Sequence, residues 1–276
     1  MQSEERDLTE PELINGHYID VLGTRTFYDE IGSGQPLVCI HTAGASSLEY
    51  RYILPMYAEQ GFHVFALDLP GHSRTYPTNW VQNRSIHEHA EFVYQFIKVL
   101  GLRSPVITGC SIGGDITFDL AANHSDEMSA GIPMEGLARS PTFPCPSSKM
   151  LPAWAPGWQD MMERAAIESL GRNTPEEKVS ELRWQHKNAQ LSAVGDLEGW
   201  SQHDVLNDLK SVKCPMLIIR GEDDFWVPKE LVEESTAAVP LGECVHIPDV
   251  GHYPMFEEPE LIAGLTGDFC RRHHIL

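Results

Sequence analysis

Residues 106–124 read VITGCSIGGDITFDLAANH: Val106 to Cys110 has the composition of a buried strand, Ile112 to His124 that of an apolar helix, and Ser111 stands at the junction. A strand turning at once into a helix holds its turn residue in a strained backbone, and its neighbours must be very small to avoid collision. Gly109 and Gly113 meet that need in the G-x-S-x-G pattern. The hydroxyl then projects above the C-terminal edge of a sheet, and the Ile112 amide, in the first helical turn, faces the same space, where a helix N-terminus favours developing negative charge. The pattern alone is weak, since an N-cap serine would also satisfy it. Its position between a buried strand and an apolar helix makes Ser111 a nucleophile candidate.

Working outward, HYIDVLG and RTFYDEIG read as a hairpin closed by Gly23-Thr24. Apolar runs (PLVCIH, HVFALDLPG, PVITGC, SAGIPMEG) then alternate with helical segments, among them SIHEHAEFVYQFIKVLG, where Ile86, Ala90, Val93, Ile97 and Leu100 recur at helical spacing before Gly101. The alternation breaks after Glu135-Gly136 and resumes at CPMLIIRGEDD. It predicts an α/β fold, a mostly parallel sheet with helices on both faces. Residues 17–136 and 209–276 form its core, 137–208 a mostly helical insertion, and 1–16 an acidic extension.

The 276 residues suffice for one large α/β domain or two small ones. With 42% apolar and 22% charged residues the composition is that of a soluble globular protein, and no segment offers the roughly 20 apolar residues that span a bilayer. The start, MQSEERDLTEPELING, lacks the basic and apolar regions of a secretory signal, so a cytoplasmic location is expected. A net charge of −20 repels phosphate backbones and anionic lipid, which argues against nucleic-acid and membrane partners. A small-molecule substrate is expected, and a homodimer is compatible with the sequence. The six cysteines (Cys39, Cys110, Cys145, Cys214, Cys244, Cys270) show no metal spacing and read as reduced core fillers. His87-Glu88-His89 lacks the HExxH spacing and reads as a solvated helix face. No metal or cofactor is expected.

A serine hydroxyl reacts at neutral pH only when a base takes its proton. Among thirteen histidines, His252 in Asp249-Val250-Gly251-His252-Tyr253-Pro254 follows the last predicted strand, and strand ends of open parallel sheets point into the ligand crevice. His41 and His72 compete, each in a glycine-containing loop. An orienting carboxylate comes next, and Gly221-Glu222-Asp223-Asp224-Phe225-Trp226-Val227-Pro228 offers three acids in a row.

With these pieces assembled, the chain resembles the α/β-hydrolase superfamily over nearly its whole length beyond the acidic extension. The match rests on the His41 loop, Asp68-Leu69-Pro70-Gly71-His72-Ser73, the serine elbow, and the acid and histidine loops. The resemblance implies Ser111, His252 and Asp224 as a triad, with Asp223 a mere neighbour. Some relatives place the acid after the strand following the nucleophile helix, where Glu135 stands, so Glu135 is the competing acid and otherwise a pocket or backbone-binding group. The resemblance also implies an oxyanion hole from the amides of Ile112 and Ala43. Thr42 departs from the His-Gly pair usual there, and offers its hydroxyl or the pocket wall.

In similar enzymes the insertion forms a cap over the serine, here carrying Phe143, Trp154, Trp158, Met161, Met162, Trp184 and Trp200. Of these, Trp154, Trp158 and Trp184, with Tyr253, are the expected pocket aromatics, which implies a small or medium substrate of apolar character. Serine at the elbow argues against dehalogenase and epoxide-hydrolase chemistry, which uses a carboxylate there. Hydrolysis of a carboxylic ester or lactone through an acyl-enzyme is the favoured expectation. Carbon-carbon or amide hydrolysis in aromatic catabolism is second, although Cys110 and Tyr253 depart from the asparagine and tryptophan frequent in carbon-carbon hydrolases. A ligand receptor on the hydrolase scaffold is third.

Overall fold

The computed structural model describes residues 13–141, 157–187 and 191–276. Eight strands form one sheet: β1 (Asn15–Val21), β2 (Thr24–Gly32), β3 (Gln35–Ile40), β4 (Phe62–Leu67), β5 (Val106–Cys110), β6 (Ala130–Met134), β7 (Met216–Gly221) and β8 (Gly242–Ile247). Their order is β1-β2-β4-β3-β5-β6-β7-β8. The pairs β1·β2 and β2·β4 are antiparallel and the rest parallel, as the strand–helix alternation predicts. Asn15 and Gly16 already pair with Glu30 and Asp29, so the sheet begins inside the segment expected to be extension.

The hairpin turn is Leu22-Gly23 rather than Gly23-Thr24, because Val21 pairs directly with Thr24. Both turn residues have positive φ, 53° and 79°, as a two-residue turn matched to strand twist requires.

The continuous apolar runs follow from burial on both faces. In β3, Val38 and Ile40 pack on one side with α2 (Ile86–Val99) and α3 (Ile112–His124), while Leu37 and Cys39 pack on the other with α1 (Ile53–Glu59) and the C-terminal helix Pro259–Arg272. The described cysteines are all free thiols, and Cys145 lies outside the described residues. On α2 the buried set is Ile86, His89, Ala90, Phe92, Val93, Phe96 and Ile97. His89 thus sits inside, three residues after Ile86 on the apolar face, and only His87 of that pair is exposed, which corrects the solvated-face reading.

Between β6 and β7 lie α4 (Trp158–Glu168), α5 (Glu176–Lys187) and α6 (Ser192–Trp200). The core chain runs slightly past Gly136 before this segment begins: Leu137 and Ala138 are buried in the main cluster, the Val205 amide donates to the Ala138 carbonyl at 2.8 Å, and Arg139 bridges Asp204 antiparallel. After β7 come α7 (Lys229–Ala238), and after β8 come α8 (Pro254–Glu257) and α9 (Pro259–Arg272). Among the described residues no helix is long and apolar enough to cross a membrane.

Candidate active site

Parallel strands end together, and the residues following β3, β5, β6, β7 and β8 meet at the C-terminal edge of the sheet. Ser111 has φ 57° and ψ −120°, between β5 and α3, and its side chain makes no capping bond. That removes the N-cap explanation and leaves a non-glycine residue in a strained conformation, which persists only where its surroundings impose it. Gly109 and Gly113 permit this turn: a Cβ on Gly113 would overlap the Ile40 carbonyl, and one on Gly109 would overlap the Gly113 carbonyl.

Ser111 and His252 line one cavity of about 310 Å³ together with Thr42, Ala43, Ile112, Glu135 and Tyr253. The two loops touch, since the Cys110 thiol donates to the His252 carbonyl at 3.1 Å. His252 is fastened from both sides: its amide donates to the Ser169 carbonyl at 2.8 Å, and Glu257 accepts from the amides of Gly251 and Tyr253. Its Nδ1 lies 2.6 Å from Asp224 Oδ2, leaving Nε2 for the cavity side. Asp224 Oδ1 accepts from the Trp226 amide at 2.6 Å. Asp223 instead turns outward to Arg172, and Glu222 is exposed, so Asp224 is the one acid of the three on the imidazole.

The competing histidines are otherwise engaged. His41 Nε2 accepts from the Leu69 amide at 2.9 Å and its Nδ1 faces the Thr42 carbonyl at 2.7 Å, which fixes a neutral ring. Burial and then the neighbouring His72 push it down to about 3. His72 Nε2 is 2.7 Å from Asp196, a buried residue of α6.

Burial disfavours the His252 imidazolium, yet the charge and hydrogen bond of Asp224 outweigh it and hold His252 above the ordinary 6.5. Burial likewise opposes the Asp224 carboxylate, but the His252 charge and the hydrogen bonds from His252 and the Trp226 amide leave it below the ordinary 3.8. Glu135, the residue after β6, is 2% exposed. It accepts from the Gly221 amide through Oε1 and has a positive φ of 47°. Burial, then the Asp224 charge, pushes it well above the usual carboxylate range. Glu135, Asp224 and His252 each offer one atom within 4.8 Å of the others, a spacing that could hold a cation. The Asp224 oxygens and His252 Nδ1 are, however, spent on one another and on the Trp226 amide.

Among the described residues neither the Ala43 nor the Ile112 amide has a hydrogen-bond acceptor, and both residues line the cavity. Thr42 is fixed by a group the sequence reading missed: Glu49, fully buried, accepts from the Thr42 amide at 3.0 Å and its hydroxyl at 2.7 Å. Burial raises Glu49 to about 7 against the two Thr42 donors. His186 of α5 reaches the same place, its Nε2 3.2 Å from the Tyr253 hydroxyl and 3.6 Å from Glu49. Burial pushes His186 down to about 4, so it is a neutral acceptor for that hydroxyl. Apart from Ser169, the rest of the wall is apolar: Met161, Met162, Ala165, Ala166, Leu197 and Trp200 from the inserted helices, and Trp226 and Val227 after β7.

Of the aromatics expected at the pocket, Tyr253 lines the cavity, whereas Trp184 does not and is 74% exposed. The buried face of α5 carries Leu182 and His186, and a residue two positions from Leu182 points about 200° away from it on a helix. Trp154 and the Trp158 side chain lie outside the described residues. Trp200 and Trp226 supply the aromatic wall in their place.

Residues 37–265 match the Alpha/beta hydrolase family, and the chain belongs to that family; it is an enzyme of the hydrolase class. It is similar to the AB hydrolase superfamily protein YisY of Bacillus subtilis, 26% identical over 92% of this chain and 98% of that one. It is also similar to a 2-hydroxy-6-oxo-6-(2'-aminophenyl)hexa-2,4-dienoic acid hydrolase of Metapseudomonas resinovorans, 25% identical over 92% of this chain and 90% of that one. Among solved structures, a thermophilic esterase from Thermogutta terrifontis superposes with a TM-score of 0.81 at 22% identity, over 95% of this chain and 99% of that one.

Proposed function

We propose that the protein hydrolyses a small or medium carboxylic ester or lactone through an acyl-enzyme at Ser111. The observation that carries the reading is the buried 2.6 Å contact of His252 Nδ1 with Asp224, which directs Nε2 into the cavity that Ser111 lines. His252 Nε2 takes the Ser111 proton as Oγ bonds to the substrate carbonyl carbon. The carbonyl oxygen, now an alkoxide, is held by the Ala43 and Ile112 amides. Collapse of this intermediate breaks the ester bond, and His252 returns the proton to the leaving alkoxide. Water, losing a proton to His252, then attacks the acyl-Ser111 carbonyl, and the acid is released with Ser111 reprotonated. No cofactor enters this route. The inserted helices serve as the cap, with α4 and α6 side chains giving the substrate an apolar seat.

A fluorophosphonate probe is expected to label the wild type and not Ser111→Ala, with ester turnover lost in parallel. Equal labelling of both proteins would overturn the assignment. Similarity to the dienoic acid hydrolase sustains carbon-carbon hydrolysis as a second reading. Comparing turnover of short nitrophenyl esters with that of a vinylogous diketone separates the two.

A further inference from the structure

Two carboxyl groups face each other behind the histidine, and the mechanism above uses only one. Asp224 already accepts from His252 Nδ1 through Oδ2 and from the Trp226 amide through Oδ1. Glu135 takes the Gly221 amide on Oε1, while its Oε2 is buried and has no donor among the described groups. A buried oxygen with nothing donating to it is costly as an acceptor and needs no donor if it carries the hydrogen itself. Its nearest chemistry is the Asp224 carboxylate, in the cluster whose atoms lie within 4.8 Å of one another.

The charges around the pair point the same way. Arg220 is the nearby cation, but its guanidinium donates to the carbonyls of Val227 and Asp224 at 2.9 and 3.0 Å rather than to Glu135. His252 and the Cys110 thiol are the other titratable groups alongside. Like charges at such range cannot both persist without water, so one carboxyl keeps its proton. Asp224, with two donors and the imidazole, is the better anion.

We infer that Glu135 is a neutral acid that donates its hydrogen to Asp224, and so acts as a positioning residue that fixes the Asp224 carboxylate against His252. The inference rests on the serine-hydrolase reading above and extends it. Glu135 bridges β6 to β7, accepting from Gly221 on one oxygen and donating to Asp224 with the other. Its strained φ is the backbone cost of aiming the side chain there. The acid of one strand is thereby locked by the acid of its neighbour.

Glutamine reproduces this bonding, with an oxygen for Gly221 and an N–H for Asp224, whereas leucine reproduces neither. Glu135→Gln is therefore expected to keep kcat within about threefold and to leave the acid limb of the kcat/KM profile in place. Glu135→Leu should lose about 10- to 100-fold in kcat at little changed KM, the range for losing a hydrogen bond to a charged group. If Glu135 were ionised, Glu135→Gln would remove a negative neighbour of His252 and move the acid limb to lower pH. That shift, or a Glu135→Gln loss equal to that of leucine, would overturn the inference, as would full activity in both variants. Should Glu135→Leu fail to fold, infrared difference spectra of wild type against Glu135→Gln decide the matter. The band of a protonated carboxyl must vanish in the variant, and its absence from the wild type would overturn the proposal. Fluorophosphonate labelling of Ser111 in each variant reports separately on the hydrolase reading, which fails if Ser111→Ala is labelled as well.

Discussion

In the proposed mechanism His252 must be neutral when Ser111 gives up its proton and charged immediately afterwards. Burial alone would make the second state costly, and the buried Asp224 contact offsets that cost. The sign fixes the pH dependence: because Asp224 raises the imidazole above 6.5, activity should climb as pH rises through that elevated value, and kcat/KM should show an acid limb above 6.5. Asp224→Asn removes the charge that raises it and favours the wrong tautomer, so kcat should fall by about 10⁴; a limb below 6.5 in the wild type would contradict the account. That Ser111, Asp224 and His252 gather at one place was legible because each sits in a local pattern, Ser111 between strand and helix, and Asp224 and His252 just past strands. Glu49 and His186 were not, because their chemistry is made by contacts that no local spacing encodes.

At the level of elements, the loop after β3 shows how a departure from the usual sequence is accommodated. Thr42 stands where glycine is common in similar enzymes, and the short helical turn Ser47–Tyr50 delivers Glu49 to tie down both its amide and its hydroxyl. In the proposed mechanism this anchoring aims the adjacent Ala43 amide without glycine. Losing one oxyanion donor costs about 10²- to 10³-fold in kcat, and a misaimed donor costs part of that. Glu49→Gln keeps one acceptor for two donors and should lower kcat by about tenfold with KM little changed; a rise in KM alone would assign Glu49 to substrate binding instead. The sheet was readable in advance because runs such as Leu37 to Ile40 are buried on both faces. The hairpin turn was misplaced by one residue, because Leu22 adopts a positive φ that composition assigns to glycine. Trp184 points away from the pocket because the phase of α5, rather than side-chain bulk, decides which residues face it.

For the molecule as a whole, one buried carboxylate of the inserted helices gathers contacts from three parts of the core. Asp196 of α6 faces His72 Nε2 at 2.7 Å and His89 Nε2 at 3.0 Å and takes the Gly44 amide at 3.3 Å, so it joins the insertion to α2, to the loop after β4 and to the loop after β3. Burial opposes the charge on Asp196, yet His72 and His89 hold it far below the ordinary carboxylate range. Burial also opposes charging His72, and the Asp196 charge and hydrogen bond, aided by Pro70 and Asp68, raise it above 6.5; His41 stands alongside, its ring 4.9 Å away. The elevated histidine contributes stability that is complete below its ordinary 6.5 and is lost as pH rises through its folded value. The depressed aspartate contributes stability present above its ordinary 3.8 and lost as pH falls through its folded value. Both contributions overlap between these limits, in a window of roughly pH 4 to 6.5. Breaking such a pair by removing one partner costs about 3–5 kcal/mol, and a chain of this size loses about 2–4 °C in Tm per kcal/mol. Asp196→Asn should therefore melt roughly 10 °C below the wild type near pH 6, with the gap narrowing above neutral pH as His72 becomes uncharged in both proteins. A gap that widened with rising pH would mean that His72 carries no charge in the fold, and the Asp196 contact would then rest on hydrogen bonds from uncharged donors.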